Sequence, residues 1–195
     1  MSAQPQTFLT PEEYLAIERD AAAKSQYWDG RMFAMAGGSH QHNRIQINLA
    51  AELRNVLKTS TCEPAGPDLR LWVSARGMYT YPDVMVLSRQ PEYLDERRDT
   101  VSNPAVILEV LSRSTEAYDR GAKFAGYRTL PSLQEYVLVA QTEARVERFR
   151  RMSGDRWILT ELTGIEGSLQ LESVPCLIPM AEIYSRVEFS GQPDI

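Results

Sequence analysis

Polar and apolar positions change period several times along this chain, and each change predicts an element. Thr10-Pro11-Glu12-Glu13 has the form of a helix start, with Thr10 as N-cap, proline at the first helical position and Glu13 closing a capping box. The spacing predicts a helix to about Asp20 with Tyr14 and Ile17 facing inward. QYWDGRMFAMAGG, from Gln26 to Gly38, predicts two short strands joined at Asp29-Gly30, a pair suited to the positive φ angles of a tight hairpin. Ser39 then caps a second helix over 40–58, where Ile45, Leu49, Leu53 and Val56/Leu57 recur at three and four to give one apolar stripe.

Farther on the pattern becomes that of strands. They are predicted over 69–74, 82–88, 104–111 and 134–141, with the charged loop RQPEYLDERRDTVSN between the second and third. PAVILEVL (104–111) is apolar on both faces apart from one residue, the mark of a central, covered strand. A helix over 115–129 ends before Pro131. RVERFRRM and RWILTELT, joined at Gly154-Asp155, predict an antiparallel extension with one wetter face, and a short strand near 168–172 and a terminal turn PMAEIY close the chain. With no repeat and no linker, the expectation is a single domain over 1–195, an α/β (α+β) fold of mixed sheet flanked by helices.

Composition narrows the class. Hydrophobic residues make up 43% and charged residues 24%, as in a globular domain. No apolar run approaches the ~18–20 residues that span a bilayer, and the N-terminus lacks a basic-then-apolar signal. Cys62 and Cys176 form neither a disulfide framework nor a metal-ligand spacing, so a reduced, cytoplasmic setting without a membrane is expected. No Gly-rich phosphate loop or dinucleotide fingerprint occurs, which argues against a nucleotide cofactor. The net charge of −5 weighs against a plain nucleic-acid binder. Arg113, Arg120, Lys123 and Arg128, and then the arginines from Arg145 to Arg156, nevertheless concentrate positive charge and leave a basic face open.

Three charged residues stand where the pattern does not ask for them. Glu109 interrupts the apolar strand on the face of Ile107 and Leu111, where an ionised carboxylate costs several kcal/mol unless cations or donors compensate. Asp83 follows Pro82 at the opening of the preceding strand; alone it reads as a turn residue, but beside Glu109 it makes a carboxylate pair suited to a hard cation. The Val110 backbone carbonyl is a candidate third oxygen. Lys123 alone reads as a solvated helix lysine paired at i−4 with Asp119 for ~0.3–0.5 kcal/mol. Asp119, Lys123 and Tyr127, however, form one i, i+4, i+8 line on a helix that must pack back over the sheet, where a lysine can orient a water and offset charge on a phosphate. His42 is a candidate at the start of the second helix, whereas His40 and His42 make a poor zinc pair because helix positions i and i+2 diverge.

YPDVMVLS followed by NPAVILEVLSRSTEAYDRGAKFAGYRTLPSLQEYVLVAQ, with TPEEYL, YWDGRMFAMAGGSHQHNRIQINL and the RVERFRR…GDRWILTEL hairpin, resembles the Uma-type restriction endonuclease family of the PD-(D/E)XK nuclease superfamily. The resemblance implies a restriction-endonuclease-like core, Mg²⁺ as cofactor with Mn²⁺ able to substitute, and DNA as substrate. It makes Asp83 the motif aspartate and Glu109 the acidic residue of the E-x-K motif, whose lysine place is taken by Leu111 and whose role passes to Lys123. Relatives often read E-Y-x-D-G, with glutamate where this chain has Gln26, and the matching histidine and asparagine are His42 and Asn43. Two readings stay open: an endonuclease hydrolysing DNA phosphodiester bonds, and a degenerate nuclease-fold module binding nucleic acid or protein. A homodimer is expected under either, because duplex cutters need two sites and small α/β domains commonly pair by two-fold symmetry.

Overall fold

Thr10 caps the first helix through a complete capping box, its side chain accepting from the Glu13 N–H at 3.2 Å while Glu13 accepts from the Thr10 N–H at 2.7 Å. The computed structural model describes residues 8–88 and 90–189. The termini, including the first seven residues read above for an export signal, lie outside the described residues. Helix α1 (Pro11–Asp20) leads into the hairpin β1 (Ser25–Trp28) and β2 (Arg31–Ala34), whose turn holds Asp29 at φ 50° and Gly30 at φ 76°. Ser39 caps α2 (His40–Val56) by accepting from the His42 N–H.

One expectation fails here. Ile17 is 46% exposed, and α1 instead buries Tyr14, Leu15 and Glu18. The Glu18 carboxylate turns inward because it accepts from the Ser25 N–H and hydroxyl and from the Tyr81 hydroxyl, which rotates the helix away from the face that apolar spacing suggests.

The remaining strands are β3 (Glu63–Ala65), β4 (Arg70–Val73), β5 (Met78–Thr80), β6 (Val84–Leu87), β7 (Thr100–Val101), β8 (Pro104–Leu111), β9 (Glu135–Ala140), β10 (Arg145–Arg151), β11 (Trp157–Thr163), β12 (Ser168–Leu171) and β13 (Cys176–Pro179). They form a six-stranded sheet in the order β11-β10-β9-β8-β6-β3, a five-stranded sheet β2-β1-β5-β4-β7 and the hairpin β12-β13. Within the six-stranded sheet only β8 and β9 run parallel, joined by the helical crossover 116–127. A short helix, Met180–Ile183, follows β13.

β8 is apolar on both sides because both are covered. Val106, Leu108 and Val110 meet Ile45, Leu49 and Leu53 of α2, while Ile107 and Leu111 pack with Leu71, Met78, Phe124 and Tyr127. The crossover is not one regular helix. It comprises Glu116–Tyr118, a wider π-type turn at Asp119–Lys123, and Phe124–Tyr127. Such turns interrupt helices where side chains must be re-aimed. Among the described residues, no helix is long and apolar enough to cross a membrane.

Candidate functional site

Asp83 stands immediately before β6, at the end where β6 runs antiparallel to β8 with Val84 opposite Leu108. This register sets Asp83 beside Glu109. The Asp83 N–H donates to Glu109 Oε2 at 3.3 Å, and the Val110 N–H donates to Asp83 Oδ2 at 2.8 Å. A strand residue's N–H and C=O leave the chain on the same side, so the Val110 carbonyl also faces toward Asp83.

The π-type turn brings the other half. Lys123 Nζ lies 2.8 Å from Glu109 Oε1 and 3.2 Å from Asp119 Oδ1. One turn on, the Tyr127 hydroxyl donates to the same Glu109 Oε1 at 3.0 Å. The Tyr136 hydroxyl holds the Asp119 carbonyl at 3.0 Å, fixing the turn against β9. Glu109, Asp119 and Lys123 are all buried.

Helix α2 supplies the third wall. His42 Nε2 is 3.2 Å from Asp83 Oδ2, and Gln46 donates to the Asp83 carbonyl at 3.0 Å and to Oδ1 at 3.4 Å. Gln46 escaped the sequence reading, although its place one turn after His42 on the same helix face could have marked it. The Asp83 and His42 side chains keep 17% and 16% of their surface exposed, against 4–5% for Glu109 and Lys123, so the cluster reaches solvent on the Asp83 side.

The electrostatics follow from crowding. Burial pushes the Glu109 carboxyl pKa above the ordinary carboxylate value, the Lys123 ammonium pulls it back, and the charges of Asp83 and Asp119 push it up again. Burial alone would lower the Lys123 pKa, but Glu109 and Asp119 reverse this and hold it above the ordinary lysine value. Burial lowers the His42 pKa, but Asp83, with Glu109 and Asp119 behind it, reverses this and leaves it raised. Three carboxylates thus face one ammonium and one imidazole, an arrangement short of positive charge on its open side.

Gln26 is half-buried and stands apart from this set of hydrogen bonds among the described residues. It shares a strand face with Trp28, whose ring lies 6.2 Å from Tyr118 beside the π-type turn. His40 contacts Arg44 at 3.1 Å rather than the cluster.

The open question of a basic face is answered in part by ion pairing. Arg145 engages Glu143 and Glu147, Arg148 and Arg150 engage Glu172, Arg151 engages Asp155, and Arg120 engages Glu116 and Glu147. The arginines of β10 are therefore largely neutralised by carboxylates of β10 itself and of the loops and turns around it.

Compared with known proteins, the chain matches over residues 11–180 the family model described as Putative restriction endonuclease, Uma2. It is 40% identical over 162 residues to the uncharacterized protein sll1609 of Synechocystis sp. (strain ATCC 27184 / PCC 6803 / Kazusa), covering 83% of this chain and 92% of that one. It is 35% identical over 183 residues to the uncharacterized protein slr1290 of the same organism, covering 93% and 94%. Among solved structures, a putative nuclease belonging to DUF820 from Anabaena variabilis ATCC 29413 superposes with a TM-score of 0.75 at 16% identity, covering 91% of this chain and 98% of that one, which is a likeness of fold.

Proposed function

The chain belongs to the Uma2 family described as putative restriction endonucleases, and from that premise we propose that it is a Mg²⁺-dependent endonuclease acting on DNA, with Asp83, Glu109 and Lys123 as its working residues. The observation that carries this reading is the convergence of those three side chains, drawn from two strands and a crossover helix, within hydrogen-bond reach of one another or of one another's backbone.

The residues fit a hard cation. No cage of three or more His, Cys, Asp or Glu side chains forms among the described residues. Mg²⁺ does not need one, since it takes one or two carboxylates and keeps several waters. Glu109 Oε2 and Asp83 Oδ1 carry only long protein contacts, of 3.3 and 3.4 Å, and so retain lone pairs; the Val110 carbonyl is the third oxygen. A bound Mg²⁺ supplies Lewis-acid charge at the phosphate and lowers the pKa of a bound water.

The chain's own groups do the rest. Lys123 has three N–H donors, of which Glu109 and Asp119 occupy two, leaving one to hold the attacking water. Tyr127 and Asp119 fix Glu109 and Lys123 in orientation. His42, beside Asp83 on the exposed side, is placed to donate to a phosphate oxygen.

A second reading, a nuclease-fold module that binds without cutting, is favoured by Gln26 in the place of the family glutamate and by the paired arginines. One experiment separates them: plasmid, single-stranded DNA and RNA incubated with Mg²⁺ or Mn²⁺ and wild type, Asp83→Ala or Lys123→Ala protein, each checked for folding. Cleavage of DNA by wild type and loss in both variants supports the nuclease. Cleavage that survives Asp83→Ala sinks the site assignment. Absence of cleavage by wild type, with a Tm unchanged by Mg²⁺ or Mn²⁺, supports the binding module.

A further inference from the structure

Strand β11 closes one side of the six-stranded sheet, and among the described residues nothing pairs with its outer edge. Such edges are ordinarily blunted by shortness, proline, lysine or a bulge. The other edges follow that rule. β3 has three residues and carries Pro64, β7 has two, and the four-residue β2 has Leu9 bonded to Gly30 at its turn. β11 has seven residues in unbroken register, WILTELT, without proline, lysine or bulge, and Ile158 and Leu159 are about half exposed.

The direction of its free hydrogen-bonding groups can be derived. The Met152 N–H bonds to the Arg156 carbonyl and the Gly164 N–H to the Ala144 carbonyl, so alternate pairs of the hairpin are hydrogen-bonded: Arg150 with Ile158, Arg148 with Thr160, Val146 with Leu162. Trp157, Leu159, Glu161 and Thr163 therefore point N–H and C=O outward. A partner strand must offer the same spacing, and a second β11 does so.

We propose that β11 pairs antiparallel with β11 of a second copy, with Thr160 facing Thr160 across a two-fold axis. This register sets Trp157 opposite Thr163 and Leu159 opposite Glu161, using all four outward residues for about eight hydrogen bonds. It also sets Ile158 opposite Leu162, apolar on apolar. Shifting the centre to Glu161 would oppose two like charges, and shifting it to Leu159 would leave Thr163 unpaired. The strand's one charge, Glu161, already has Arg145 at 3.8 Å within its own chain, so no uncompensated charge opposes contact. The two six-stranded sheets become continuous, with both copies of Glu109 on the same face.

The test is sedimentation velocity on the full chain, followed by cysteine cross-linking. Wild type is expected at twice the 22.1 kDa chain mass and Leu159→Lys at the single mass with an unchanged circular-dichroism spectrum. Thr160→Cys in a Cys62→Ser background is expected to form an intermolecular disulfide on mild oxidation, because a non-hydrogen-bonded antiparallel pair sets Cα atoms about 4.5 Å apart, within disulfide range. Thr163→Cys, facing Trp157, is expected to form none. Should Leu159→Lys misfold, the cross-link decides alone. A monomeric wild type would leave the edge for an extended segment of another protein and overturns the proposal. A dimer that cross-links at 163 and not at 160, or at neither, overturns it as well.

Discussion

The Lys123 ammonium lies 2.8 Å from the Glu109 carboxylate, and both side chains are withdrawn almost wholly from solvent. The pair joins the centre of the sheet to the crossover helix, and Asp119 at 3.2 Å shares the same ammonium. Two buried carboxylates thus depend on one cation. On the proposed function Lys123 therefore serves both stability and chemistry, and a substitution there is expected to change both.

Lys123→Ala is accordingly expected to cost about 3–5 kcal/mol, the penalty for leaving a buried charge without its partner. For a chain of this size that corresponds to a Tm lower by roughly 6–20 °C. Millimolar Mn²⁺ is expected to return part of the loss, because a cation at Asp83 and Glu109 replaces the missing charge. Thermal melts of wild type and variant with and without Mn²⁺ read both effects. A variant melting within about 2 °C of wild type would mean that Lys123 does not carry the charge balance.

Gln26→Glu introduces the glutamate that the family resemblance implies at this place, on the strand face that Trp28 turns toward Tyr118. One more carboxylate facing this helical segment is expected to tighten Mn²⁺ binding by about tenfold, roughly 1.4 kcal/mol, and to raise any cleavage rate. Isothermal titration with Mn²⁺ measures the first. Equal affinity in the two proteins would place residue 26 outside the metal's reach.

Much of this site was legible because its residues break patterns. Glu109 stands out within PAVILEVL because β8 is covered on both faces by α2 and by Phe124 and Tyr127. Asp83 and Lys123 then follow from what must lie beside that strand. The parts that were not legible have physical causes too. β3, β5 and β7 have only two or three residues, too few to show alternation, and β13 is four residues closed on itself by β12. α1 was turned the wrong way because Glu18 counts as a solvent-facing residue until Ser25 and Tyr81 are seen donating to it. The arginines of β10 suggested a basic surface because their partners Glu172 and Asp155 lie outside that strand.

The loop before β8, in the sequence only a run of charges, is tied down from α1. Arg19 of α1 reaches across to Asp99 at 2.8 Å and to Asp95 at 2.7 Å, and Asp99 also accepts from the hydroxyl of Thr100, the first residue of β7. The hydrogen bonds from Arg19 lower the Asp99 pKa to about 2, with burial opposing and Thr100 assisting. A carboxyl depressed in the folded state stabilises the protein above its unfolded pKa, ~3.9, and loses that contribution as pH falls toward the folded value. The side chain is about one-third exposed, so after screening the contribution is of order 1 kcal/mol. Asp99→Asn is therefore expected to melt about 2–4 °C below wild type at pH 7, with the gap closing between about pH 4 and pH 2. Thermal melts across that range decide it: a gap that stays constant down to pH 2 would show that Asp99 acts through its shape and not through its charge.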